Sequence, residues 1–95
     1  MPETLSSEER SKFLFSFLVM SYQRSALMQL GLLKDPHTQK TEKDLETAKL
    51  SIDILGMLQE KTRNNLTKDE AELLDSVLRE LRLAYIKETA RGESK

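Results

Sequence analysis

The chain has 95 residues, no cysteine, a single histidine, and 15 basic against 16 acidic residues, for a net charge of -1. These values exclude disulfides, thiolate metal sites and a cysteine nucleophile. They also remove the global field that nucleic acid or an acidic membrane would answer to. We read one domain over residues 1–95, folded from about 6 to 90, with flexible tails at 1–5 and 91–95. A chain of this length buries only about 60–65% of its unfolded surface, so its own core is thin and oligomerisation is a common remedy.

Strong helix formers dominate, and only two prolines and three glycines interrupt them. The first helix is expected to start at Ser6. Ser6 with Glu9 fits a capping box, in which each side chain satisfies a free backbone N–H of the other. It should end near Leu30, where Gly31 supplies a left-handed cap. Asp35-Pro36 blocks continuation, so residues 32–40 form a connector.

The second helix is expected to be capped by Thr41, with Asp44 at the reciprocal position. Leu45, Ala48, Ile52 and Leu55 then recur at helical spacing and form one apolar stripe, extended by Leu58. Lys61 sits where a cation favours the negative end of the dipole. Asn64-Asn65 supplies the left-handed residue of the turn, which we place at Asn65.

The third helix has a second capping box, Thr67 with Glu70, stapled by Leu66. Leu74, Val77, Leu78, Leu81 and Tyr85 form its buried stripe. The turn before it is short, so the second and third helices should pair as an antiparallel hairpin.

One segment does not fit that economy. Phe13 to Met20 has seven apolar residues out of eight. A helix that is apolar on every side cannot be covered by one hairpin. The expected fold is therefore all-α, with three helices and the first packed across the hairpin, completed by homo-oligomerisation. Phe13, Leu14, Phe15, Phe17 and Leu18 are the interface candidates. A membrane span is disfavoured, because extending the run to the ~20 residues a span needs brings in Ser21, Gln23, Arg24, Ser25 and Gln29.

Chemistry is sparse. His37 stands alone in the connector, and no phosphate loop, nucleophile elbow or zinc-binding helix motif occurs. Acidic residues cluster only in helical first turns, where the dipole explains them. No cofactor, metal or nucleic acid is expected, and no catalytic residue is assigned. Asp53 and Arg82 fall near enough in register to pair across the hairpin. A third reading places an active site at an oligomer interface, built from Asp53, Lys61 and Arg82.

From Phe13 to Lys87 the chain resembles a family of small bacterial helical proteins of unknown function. The likeness is carried by the aromatic run Phe13 to Leu18, by Leu30-Gly31, Asp44-Leu45, Ile52-Asp53 and Leu81-Arg82, and above all by Lys61-Thr62-x-x-Asn65-Leu66-Thr67-x-x-Glu70. It implies a bacterial, cytoplasmic protein and brings no activity with it. It marks Asp53, Lys61, Thr62, Asn65 and Arg82 as polar candidates without a role. The sequence thus supports a non-enzymatic interaction or structural protein that self-associates through its first helix, with an unidentified protein partner left open. The alternative is a binding module that offers the same helix to a lipid, an apolar ligand or a partner helix.

Overall fold

The structure is a computed structural model that describes residues 5–93. Of the expected tails at 1–5 and 91–95, residues 1–4 and 94–95 fall outside those residues. Three helices follow in order: α1 (Ser7–Gln29), α2 (Leu45–Lys61) and α3 (Lys68–Glu93). The third continues past the expected boundary at Ala90.

The ends of α1 are closed by local chemistry. Glu9 N–H donates to Ser6 Oγ at 3.2 Å, and Ser6 N–H donates to Glu9 Oε1 at 3.2 Å, completing the capping box. At the other end Leu32 N–H donates to Leu27 O at 2.9 Å and Gly31 N–H to Met28 O at 3.0 Å. That pair of bonds is a Schellman closure, and it requires the left-handed residue that Gly31 provides at φ +78°.

The N-cap of α2 is Asp44, three residues later than the expected Thr41. Asp44 Oδ1 accepts from Thr47 N–H at 3.2 Å and Oδ2 from the Thr47 hydroxyl at 2.7 Å. Both Thr41 and Asp44 are cap-forming residues, and local pattern alone does not separate them. A tertiary bond does: Asp44 N–H donates to Gln29 O at 2.7 Å, which fastens the start of α2 to the end of α1. The turn after α2 also differs from expectation by one residue. Asn64, not Asn65, adopts the left-handed conformation, at φ 70°. Asn65 N–H instead closes the turn on Thr62 O at 2.9 Å. Thr67 and Glu70 form the expected capping box of α3.

The helices run up, down and up. Ile52 and Asp53 face Arg82 and Tyr85 across one depression, whereas Gln59 and Thr62 face Ala71 and Leu74 across another. That ordering makes α2 and α3 antiparallel. Gln23 Nε2 donates to Glu80 Oε1 at 3.0 Å, and Leu32 lies near Leu83 and Glu88, so α1 runs parallel to α3. The core is one cluster: Val19, Ala26 and Leu30 from α1 and its cap, Ala48, Ile52 and Leu55 from α2, and Leu74, Val77, Leu78 and Leu81 from α3.

Two polar contacts penetrate this core. Ser51 Oγ donates to Gln29 Oε1 at 2.7 Å. Glu88, buried on α3, accepts from Lys43 Nζ at 2.8 Å and has Arg91 at 3.8 Å. The Lys43 hydrogen bond holds the Glu88 carboxyl below its ordinary value of 4.5, against the opposing effect of burial, with the Arg91 charge assisting. The pair clasps the end of the connector onto α3.

Glu88 therefore stabilises the fold fully above its ordinary value, and that contribution is lost as pH falls through the lowered one. Lys43→Ala should lower the urea midpoint at neutral pH. It should also flatten the loss of stability as pH falls below the ordinary carboxylate range and through the lowered Glu88 value. Parallel pH profiles for the two proteins would remove the clasp. In the core, Leu78→Ala should cost about 2–5 kcal/mol in urea denaturation.

Candidate interaction surface

The 3.6-residue period divides α1 between inward and outward residues. Val19, Ala26 and Leu30 face the core, and Phe15, Tyr22 and Leu27 pack partly against it. On the other side Phe13, Phe17 and Met20 are 46%, 62% and 55% exposed. They are spaced four and three apart, so they form a stripe along consecutive turns. The Phe13 and Phe17 rings stack with centroids 6.2 Å apart and planes at 25°. Beside them a groove of about 600 Å³ is lined by Phe13, Phe17, Met20, Arg24, Leu27 and Leu33.

Four of the five interface candidates are thus uncovered. Leu14 and Leu18 are also exposed, on the flank of the stripe. Phe15 differs from the other four. It lies about 160° around the helix from Phe17 and is half-buried against the core cluster.

The polar candidates separate into two groups. Asp53 Oδ2 accepts from Lys49 Nζ at 2.9 Å, which raises the Lys49 ammonium above its ordinary value. Arg82 lies across Gly56, with Nη2 only 3.0 Å from where a Cβ at that position would sit. Asp53 and Arg82 share a shallow depression of about 260 Å³ with Lys49, Ile52, Tyr85 and Ile86. Among the described residues no ion pair joins them; the partner of Asp53 is Lys49, one helical turn away.

Lys61, Thr62 and Asn65 belong to the helix junction. Thr62 Oγ1 donates to Leu58 O at 2.7 Å and caps α2, and Asn65 Nδ2 donates to Arg63 O at 3.4 Å. Lys61 stands about 12 Å along the axis from Asp53. Asp53, Lys61 and Arg82 therefore do not converge on one site. Among the described residues no three His, Cys, Asp or Glu side chains are grouped to hold a metal ion. No helix among them is long and apolar enough to cross a membrane.

Sequence reasoning missed further exposed apolar residues on the hairpin: Leu50 and Met57 on α2, and Leu83 and Ile86 on α3. Leu50 and Met57 are seven apart and share a face. Their signal was an apolar residue off the core stripe.

The chain as a whole is extended. Its extents are 52 × 31 × 16 Å and its radius of gyration is 15.2 Å, where a compact domain of this length has about 12 Å. It exposes 7101 Å², against about 5,600 Å² for a globular monomer of its 10.9 kDa mass.

A family model described as "Domain of unknown function (DUF1844)" matches residues 12–87. No curated protein matches the chain, and neither does any solved structure.

Proposed function

The chain belongs to this DUF1844 family, and on that footing we propose that it is a non-catalytic interaction protein that self-associates through α1. The observation that carries the reading is the uncovered Phe13–Phe17–Met20 stripe. Contiguous apolar surface of this kind marks protein contacts. The excess surface supports the same reading. It amounts to about 1,500 Å² over the whole chain, as an elongated shape with uncovered apolar side chains leaves. The resemblance of the sequence to small bacterial proteins supports a cytoplasmic setting.

The groove beside the stripe favours a second reading, in which α1 receives an apolar ligand. The two readings separate in solution. In the first, light scattering coupled to size exclusion gives a dimer or larger species over a wide concentration range. Phe17→Asp then weakens association by roughly a hundredfold or more while helical content is kept. A wild-type mass of one chain at every concentration would overturn self-association. Capture of an apolar dye by that monomer, lost in Phe17→Asp, would establish the ligand reading instead.

A further inference from the structure

The outward face of α1 carries more than apolar residues. Glu9 stands one turn before Phe13, and Arg24 one turn after Met20; both are exposed. The order along the face is Glu9, Phe13, Ser16 and Phe17, Met20, Arg24. The steps from the centre outward are three and four residues in both directions. The pattern is therefore palindromic in spacing about the midpoint of Ser16 and Phe17. In charge Glu9 and Arg24 are opposite, and the exposed Arg10 flanks the Glu9 end, seven residues before Phe17.

We propose that α1 docks antiparallel against α1 of a second copy of this chain, about a two-fold axis between Ser16 and Phe17. The proposal rests on the self-association reading above and assigns its geometry. A two-fold contact must be self-complementary, with residue i on j and j on i. In this register Phe13 meets Met20 of the second copy and Phe17 meets Ser16, so each large side chain near the axis faces a small one. Phe13 to Met20 and Phe17 to Arg24 are each seven residues, the repeat that keeps a seam facing its partner.

The charges choose the direction. In the antiparallel register Glu9 faces Arg24 of the second copy, twice. In the parallel in-register arrangement Arg24 would face Arg24 and Glu9 would face Glu9, with like charges opposed at both ends. Among the described residues Arg24 has no ion pair within its own chain, so the guanidinium is available to a second copy. The occupant is a second copy because the face is complementary to itself in shape and charge.

The test uses the full chain and reads its dissociation constant at low salt. Arg24→Glu should weaken the dimer roughly tenfold, because two attractive pairs become repulsive. Glu9→Arg should do likewise. The double variant, Glu9→Arg with Arg24→Glu, should recover wild-type affinity. Dimeric single variants with no recovery in the double would overturn the register.

Glu9 also closes the Ser6 capping box, so a second measurement leaves both charges in place. The chain has no cysteine, which makes introduced thiols unambiguous. Phe13→Cys mixed with Met20→Cys should oxidise mainly to the mixed disulfide. Disulfides formed within each variant alone would overturn the antiparallel arrangement. A wild-type chain that stays monomeric would defeat the underlying self-association reading, an outcome distinct from a dimer in another register.

Discussion

A helix buries one stripe, and α1 has more apolar surface than two neighbours can cover. That constraint organises the whole molecule. The inward residues of α1 join the hairpin core, and its outward Phe13, Phe17 and Met20 are left in solvent. The shape follows: three helices in a slab only 16 Å thick cannot wrap any one of them completely. A larger chain could lay a fourth helix over the stripe. In the proposed dimer the fourth helix is another copy of the first.

The polar structure supports that slab at one end. The connector between α1 and α2 has little apolar material, and Lys43–Glu88 and Asp44–Gln29 hold it down. Both tie the chain together where α1 ends, α2 begins and the last turns of α3 pass. Lys43 also packs its stem beside Gly31. The well-anchored end of the bundle is thus remote from the N-terminal half of α1, where the apolar stripe stands free.

Much of this was legible in the sequence because it depends on residues close together. The capping boxes Ser6–Glu9 and Thr67–Glu70, the Gly31 closure and the core stripes of α2 and α3 are all local patterns. Where expectation failed, two residues of equal local merit competed, or the partner was distant. Thr41 and Asp44 compete equally as caps until the Gln29 carbonyl selects Asp44. Asn64 and Asn65 compete equally for the left-handed turn until Asn65 bonds to Thr62. Glu88 continues the Leu74–Leu78–Leu81 stripe at helical spacing, and a buried charge at such a position signals a partner. Lys43, 45 residues away, could not be found from spacing. Phe15 shows the same limit from the other side: a wholly apolar run conceals which of its faces is already used.

The apolar residues left on the hairpin give the direction of α1 docking its consequence. A stripe on α1 that paired with Leu50 and Met57 of another chain without the reciprocal contact would be heterologous, and such contacts either close into rings or propagate into fibres. In the proposed antiparallel dimer the α1 face saturates itself in one step and stops. The opposed charges of Glu9 and Arg24 therefore do more than add attraction at the ends of the seam. They favour the one pairing that closes, and they penalise an α1 that slides along its own apolar run, where Phe13, Phe17 and Met20 alone would tolerate several registers. Leu50 and Met57 then remain outside the α1 seam, on a separate face of the assembled molecule.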